Sequence, residues 1–192
     1  VGAAHSCGIR TDGTMWCFGR NNYAQLGIGS QDSLTHTIPE QVGNDSDWAT
    51  VYSGYYASCG IKSDGSLYCW GRNQDGAMGQ GTFGSYFAEP QRIGTDSDWE
   101  QASLNEHVCA LKTNGSLWCW GRGWEGQLGN GSLTRTNVPE EIAQGTAFSQ
   151  VSVHRYHSCA VKDDGTLWCW GLGETAALGQ DLVFGELSVP SQ

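Results

Sequence analysis

The chain has 192 residues, with ten Lys and Arg against twenty Asp and Glu, a formal net charge of −10. Nucleic-acid binding draws most of its affinity from cations that neutralise phosphates, so an acidic chain with no basic cluster is excluded from that class, and adhesion to acidic membranes is disfavoured with it. Twenty-eight glycines, four prolines, nine tryptophans, seven tyrosines and eight cysteines describe many tight turns between short segments that bury large rings. No run is long and apolar enough to cross a membrane and no signal peptide is visible; with no initiator Met, a mature or trimmed form is expected.

In chain order the first element is a hairpin, Val1 to Gly19, and its segment Ser6 to Gly19 returns as Ser58 to Gly71, Val108 to Gly121 and Ser158 to Gly171. Counted from Cys7, Cys59, Cys109 and Cys159, the period is about fifty residues, the signature of a propeller or solenoid. Val1 aligns with Ser53 and Val153, so the strand that starts at Trp48 in the second copy has no counterpart ahead of the first hairpin. Arg20 to Gly29 follows, matched by Arg72 to Gly81, Arg122 to Gly131 and Leu172 to Asp181, with Gly27, Gly79, Gly129 and Gly179 in register where a turn needs positive φ or close approach. A polar loop then leads to a short strand expected to begin near Pro39, Pro90, Pro139 and Pro190, since proline suits a strand start or an edge. Linkers Gly43 to Trp48 and Gly94 to Trp99 each carry an Asp-Ser-Asp; the third, Gly145 to Phe148, keeps only the aromatic. Each repeat gives four β-segments, 49–54, 57–62, 66–71 and 88–93 in the second copy, and no segment has sustained helical periodicity. The expected organisation is one array over 1–192, with repeats of about 1–47, 48–98, 99–147 and 148–192.

Counting through the hairpin sets its register. A two-residue turn at Asp64-Gly65 would put Cys59 opposite Trp70, whereas a three-residue loop with Gly65 left-handed pairs Lys62 with Ser66 and Cys59 with Cys69. The second register makes the cysteines a non-hydrogen-bonded pair, where side chains approach closest. It predicts Cys7–Cys17, Cys59–Cys69, Cys109–Cys119 and Cys159–Cys169 disulfides, each contributing on the order of 2–3 kcal/mol on a chain-entropy account. Eight reduced core thiols are the alternative; a metal cluster is disfavoured because Cys-x9-Cys lacks the short chelate spacing. Disulfides imply an oxidising compartment, extracellular or periplasmic. Asn44, Asn114 and Asn130 open glycosylation sequons that matter in a eukaryotic source.

Period-two alternation puts Cys59, Ile61, Leu67 and Cys69 on one face of the hairpin and Gly60, Tyr68 and Trp70 on the other. Both faces are apolar, so each small sheet is sandwiched, as in sheets stacked around an axis. Trp16, Tyr68, Trp118 and Trp168 stand opposite Gly8, Gly60, Ala110 and Ala160, a large ring over a tiny partner that reads as packing between blades and not as a cofactor site. The fold class expected is all-β, a β-propeller segment of four repeats with one disulfide per blade.

The run His157-Ser158-Cys159-Ala160-Val161-Lys162-Asp163-Asp164-Gly165-Thr166-Leu167-Trp168-Cys169-Trp170-Gly171, with Gly126-Gln127-Leu128-Gly129 segments and a Pro-x-x-Ile/Val strand, resembles the regulator-of-chromosome-condensation repeat family across essentially the whole chain. The resemblance implies four-stranded blades, usually seven to a closed propeller, of which four repeats would be a part. The paired cysteines resemble secreted, mostly bacterial, members. Function varies within such a family. The nuclear member's nucleotide exchange on a small GTPase and docking on chromatin do not suit an acidic, disulfide-rich chain. The plant UV-B photoreceptor uses a Gly-Trp-Arg-His-Thr stretch, whereas Gly54-Tyr55-Tyr56-Ala57-Ser58 and His154-Arg155-Tyr156-His157-Ser158 here have no Trp. A secreted bacterial member clamps β-lactamase with its loops, and loop-mediated protein binding is the role the resemblance implies.

His5, His107 and His157 share one repeat position, filled by Ala57 in the second copy, and a structural hydrogen bond is expected of them. His154 and His157, on an extended segment, would point to opposite faces and hold no zinc. Asp45/Asp47 and Asp96/Asp98 offer oxygens to calcium or, more simply, shape turns. No catalytic constellation or cofactor motif is visible, so no enzyme is expected. Positions that differ between copies cluster before each hairpin (Ala3-Ala4, Tyr55-Tyr56, Asn105-Glu106, Arg155-Tyr156), after it (Asn22-Tyr23, Gln74-Asp75, Trp124-Glu125, Glu174-Thr175) and in Thr82 to Phe87. Interface anchors favour Tyr, Trp and Arg on a rigid scaffold, which selects Tyr55, Tyr56, Phe83, Tyr86, Trp124, Arg155 and Tyr156 as partner-binding candidates. The function expected is a secreted scaffold that binds a protein or assembles through loops and blade faces, with a carbohydrate-binding propeller as the competing class. An open four-blade arc would bare two apolar sheet faces, so flanking blades or partner subunits, a homo-oligomer among them, are expected to cover them.

Overall fold

A computed structural model describes residues 1–173, 178 and 186–192. They form antiparallel sheets and, among the described residues, no helix. Blade 1 has three strands, β1 (His5–Ile9), β2 (Met15–Arg20) and β3 (Thr35–Gln41). Blade 2 has β4 (Trp48–Ser53), β5 (Ala57–Lys62), β6 (Leu67–Arg72) and β7 (Tyr86–Arg92) in that spatial order. Blade 3 repeats it with β8 (Trp99–Leu104), β9 (His107–Lys112), β10 (Leu117–Gly121) and β11 (Thr136–Ile142), and blade 4 with β12 (Phe148–Val153), β13 (His157–Lys162), β14 (Leu167–Leu172) and β15 (Glu186–Ser191).

The central hairpin of each blade is set by its turn. Lys62 N–H donates to Ser66 O at 3.0 Å and Gly65 N–H to Lys62 O at 2.9 Å, with Gly65 at φ +80°. The Asp64 carboxylate accepts from Ser66 N–H (2.9 Å) and Ser66 Oγ–H (2.6 Å), which fixes the loop at three residues. Glycine is required at 65 twice over, since a Cβ there would also lie 2.3 Å from Ser97 O of the next linker. The ladder then runs Ile61 to Leu67, Gly60 to Tyr68 and Cys59 to Cys69. All four blades carry the disulfide across this register, with Cα atoms 4.1–4.2 Å apart.

The blades stack as the two apolar faces require. Cys59, Ile61 and Leu67 are buried against Ala102, Val108, Ala110 and Trp120 of blade 3. On the opposite face, the missing Cβ of Gly60 leaves room for the Trp48 ring and for Met15 Cε of blade 1, which an added carbon would meet at 2.7–2.9 Å. Each junction is latched by an indole: Trp70, Trp120 and Trp170 donate Nε1–H to Gln25 O (3.1 Å), Ala77 O (2.8 Å) and Gln127 O (2.8 Å) of the preceding blade's loop. Gly27, Gly79 and Gly129 recur because that loop lies directly on the ring; Gly179 lies outside the described residues. First strands also meet, with Val153 N–H donating to Ser103 Oγ at 3.0 Å between blades 4 and 3.

The outermost strand differs from the sequence expectation. β7 begins at Tyr86, four positions before Pro90, and Pro39, Pro139 and Pro190 likewise sit inside their strands. The pairing jumps from Cys69–Gln91 to Gly71–Phe87, so the segment holding Pro90 bulges away from Trp70 and no ladder bond needs the missing N–H.

Candidate functional site

The strands of each blade give it two ends. Hairpin turns and interblade linkers lie at one, the turn end; the segments before and after each hairpin lie at the other, the loop end, where Arg72 N–H donates to Tyr56 O and Arg122 N–H to Glu106 O. That geometry carries Tyr55, Tyr56, Trp124, Arg155 and Tyr156 to the loop end. Phe83 joins them because its loop opens β7, whose first residue Tyr86 pairs with Arg72.

One carboxylate organises this surface. The Glu106 side chain is only 5% exposed and faces arginines from three blades: Arg122 Nη1 at 2.6 Å, Arg72 Nη1 at 3.5 Å and Arg155 Nε at 3.6 Å. Arg122 also grips Glu125 through Nη2 (2.5 Å) and Nε (3.1 Å). Those bonds to Glu125, then Glu106, hold the guanidinium charged against the opposing effect of burial. Burial would raise the Glu125 carboxyl, but Arg122 and Gln127 hold it below the usual carboxylate range. Arg135 donates to Gln74 O at 2.9 Å and lies 3.7 Å from Asp75.

The anchored guanidiniums carry the rings. Arg72 lies 5.4 Å from the Tyr56 centroid and 5.8 Å from Tyr23, and Tyr56 packs on Tyr23 at 4.6 Å and edge-on to Tyr55 at 4.3 Å. Arg122 lies between Trp124 (5.2 Å) and Tyr156 (5.3 Å), Arg155 over Tyr156 (5.0 Å), and Arg135 over Phe83 (4.2 Å) and Trp124 (5.9 Å). Tyr55, Phe83, Tyr86 and Trp124 remain 40%, 46%, 41% and 49% exposed. Six of the seven candidates thus join one lattice of stacked cations and rings, and Tyr86 borders it on β7. The cations that hold the lattice carry little signal in the sequence. Arg72 and Arg122 recur at one repeat position and so do not stand out, nothing local marks Arg135, and Glu106 differs between copies without showing what it faces. Glu174-Thr175 lies outside the described residues.

Beneath the surface His5 and His107 make the structural hydrogen bonds expected at their repeat position. His5 Nε2 is 2.8 Å from Ser58 Oγ and His107 Nε2 is 2.7 Å from Ser158 Oγ, across the blade 1–2 and blade 3–4 junctions. Ser58 and Ser158 donate onward to Gln25 O and Gln127 O, so each imidazole is the donor to its serine. Burial pulls the His5 and His107 pKa values down to about 4 and about 3. His154 and His157 depart from expectation. Residues 154–157 form a turn closed by His154 N–H to His157 O, not an extended run, and the two rings lie 5.2 Å apart on one side. Among the described residues no three His, Cys, Asp or Glu groups converge on a metal position.

At the turn end the Asp-x-Asp pairs each hold a lysine. Lys62 Nζ lies 2.8 Å from Asp45 and 3.1 Å from Asp47; Lys112 Nζ lies 2.5 Å from Asp96 and 3.2 Å from Asp98. The ammonium occupies the place a cation would take between those carboxylates, with Trp48 and Tyr68, or Trp99 and Trp118, within 5.3 Å of it.

The regulator of chromosome condensation (RCC1) repeat model matches residues 64–111 and 114–161, and a second model of the same repeat matches 1–25, 48–77 and 148–175. The probable E3 ubiquitin-protein ligase HERC6 of Homo sapiens is 31% identical over 94 residues, 48% of this chain and 9% of that protein. A protein RCC2 homolog of Danio rerio is 35% identical over 80 residues, 41% of this chain and 16% of that protein. Yeast RCC1 (Prp20), solved bound to Kap60, superposes with a TM-score of 0.88 at 23% identity, over 99% of this chain and 46% of that one. The chain therefore spans less than half of each of these proteins.

Proposed function

The chain belongs to the regulator of chromosome condensation (RCC1) repeat family, and from that premise we propose that it is a protein-binding scaffold whose contact surface is the arginine-and-aromatic loop end. The carrying observation is that Tyr55, Phe83 and Trp124 are 40–49% exposed while lying in a lattice whose arginines bond to Glu106, Glu125 and the Gln74 carbonyl. Rings already fixed in place lose little freedom on binding, which is the condition under which exposed aromatics act as anchors. Glu106, Glu125 and Asp75 all face guanidinium groups, which suits recognition and not proton transfer. Binding of Kap60 by yeast RCC1 (Prp20) supports protein recognition by this fold. Four disulfides, one in each blade, support work in an oxidising, extracellular or periplasmic setting.

The test immobilises the disulfide-intact chain beside a Phe83→Ala/Trp124→Ala variant and identifies what each retains. One defined protein, bound directly and weakened about tenfold or more in the variant, supports the reading. Glycan-array binding that disappears with Trp124→Ala, in the absence of any protein ligand, overturns it in favour of sugar stacking.

A further inference from the structure

Arg135 is a loop-end cation that the repeat does not supply. Its counterparts by strand register are Thr35, Tyr86 and Glu186, because the next residue in each copy pairs with the same repeat glycine, Gly121, Gly19, Gly71 or Gly171. Lys62, Lys112 and Arg122 each hold a carboxylate within 2.8 Å. Arg135 does not. The carboxylate it faces, Asp75, lies 3.7 Å from Nη1, beyond a hydrogen bond, and also faces Arg72 at 3.8 Å. Arg135 Nη1 donates to the Gln74 carbonyl at 2.9 Å, and among the described residues Nε and Nη2 have no partner. The side chain is 39% exposed, with Phe83 and Trp124, 46% and 49% exposed, at 4.2 Å and 5.9 Å from its centre. All these residues belong to blades 2 and 3, which have blade 1 packed on one side and blade 4 on the other, so their junction is already complete.

A guanidinium tied to a carbonyl and leaning on rings keeps its fork of donors in one orientation. The unused donors then suit a planar, bidentate acceptor, and a carboxylate is that group. The rings beside it gain most from a large apolar side chain of the same partner. Phosphate- or sulfate-rich polymers fit less well, because Asp75 and the net charge of −10 repel a ligand in proportion to its charge. We propose, on the premise that the loop end is the contact surface, that the partner is a protein segment carrying an Asp or Glu beside a large apolar residue. Arg135 takes the carboxylate, and Phe83 and Trp124 take the apolar side chain.

A displayed library of random linear peptides, selected on the disulfide-intact chain, tests this. Enriched peptides share an Asp or Glu next to an aromatic or large aliphatic residue. Arg135→Gln, and amidation of the peptide's acid to Asn or Gln, each weaken binding about tenfold. Both changes together weaken it little more than either alone, because they remove the same contact. Arg135→Lys restores only part of the affinity, since an ammonium lacks the planar fork. Added salt weakens the wild-type complex and leaves the Arg135→Gln complex nearly unchanged. Disulfide mapping and circular dichroism show each variant folded. Peptides that need Phe83 and Trp124 but neither an acid nor Arg135 overturn the acidic partner and leave the loop-end scaffold standing. Peptides indifferent to all three residues, or no enrichment at all, overturn both. Heparin bound in place of any peptide, and released by Arg135→Gln, overturns the protein segment in favour of a sulfated polymer.

Discussion

The two ends of the blades use the same chemistry to opposite purposes. At the turn end a lysine lies within 5.3 Å of two aromatic rings and between two aspartates, in nearly identical geometry at Lys62 and Lys112. The repetition in blades 2 and 3 marks an architectural device, because neighbouring repeats satisfy the same local demand in the same way. At the loop end arginines lie over rings in no repeated pattern: Arg72 over two tyrosines, Arg122 between Trp124 and Tyr156, Arg135 over Phe83. There the scaffold imposes only the arginine position, and the residues around it are free to specify a partner. Variation on an invariant backbone, more than residue type alone, separates recognition from architecture.

The sharpest way to break the comparison is at Glu106. It takes guanidinium contacts from three blades at 5% exposure, so Glu106→Ala removes the counter-charge that Arg72, Arg122 and Arg155 share, leaving Arg122 with Glu125 and Arg72 with the more distant Asp75. Removing one partner of a buried ion cluster costs about 3–5 kcal/mol, and a value near the lower bound is expected at this half-open site. Urea unfolding should show a lower midpoint at unchanged slope. A loss of less than about 1 kcal/mol would mean that the loop end is surface decoration.

Acid should separate the junctions next. His5 and His107, with native pKa values of about 4 and about 3 against about 6.5 when unfolded, bind fewer protons folded than unfolded. Their contribution is complete above pH 6.5 and is lost as pH falls toward 4, on the order of 3 kcal/mol for each histidine. Junction 2–3, with Ala57 and Val108, has no such dependence. Replacing His107 and Ser158 by Ala and Val should flatten the fall in thermal midpoint between pH 6.5 and 4.5; an unchanged slope would remove the relay from the account.

At the turn end smaller, equal effects are expected. Burial alone would lower the pKa of Lys62 and Lys112, but their aspartates more than offset it and hold both above the usual lysine range. Lys62→Met and Lys112→Met should each cost about 1 kcal/mol, as cation–π contact and a partly exposed ion pair together suggest. Lys162 lies over Trp168 with no aspartate pair in its linker, so Lys162→Met should cost less, and its effect should respond less to salt. Equal salt responses at all three positions would contradict the division of roles.

What is legible in the sequence follows from range. The Asp64-Gly65 loop fixes the Cys59–Cys69 register within a dozen residues, and alternation assigns Gly60 and Leu67 to opposite faces with no knowledge of neighbours. The outer strand starts earlier than its proline suggests, because the bulge that accommodates Pro90 is decided by the partner strand β6. His154 and His157 share one side, against the alternation of an extended chain, because the next hairpin forces a turn as the backbone leaves β12. The loop-end lattice is visible in the sequence only as seven scattered anchors. Its centre, Glu106, gathers Arg72, Arg122 and Arg155 from separate repeats, and sequence spacing does not show which repeat's loop leans on which.

The smallest stability effect carries the strongest functional expectation. Trp124 is 49% exposed, and its neighbours Arg122 and Arg135 keep Glu125 and the Gln74 carbonyl when the ring is removed. Trp124→Ala should therefore move stability by no more than about 0.5 kcal/mol, as for other surface substitutions. The same change removes a large ring from between two fixed guanidiniums, the place where a partner would gain most contact area, and should weaken partner binding about tenfold or more. A ring that matters to binding and not to folding is what the loop end predicts; at the turn end the equivalent truncation, Trp99→Ala, removes a 4% exposed indole from the blade 2–3 cluster and should cost about 3–5 kcal/mol whatever is bound. If Trp124→Ala instead unfolds the chain to a similar extent and leaves partner affinity alone, the two ends are one architecture and the contact surface lies elsewhere.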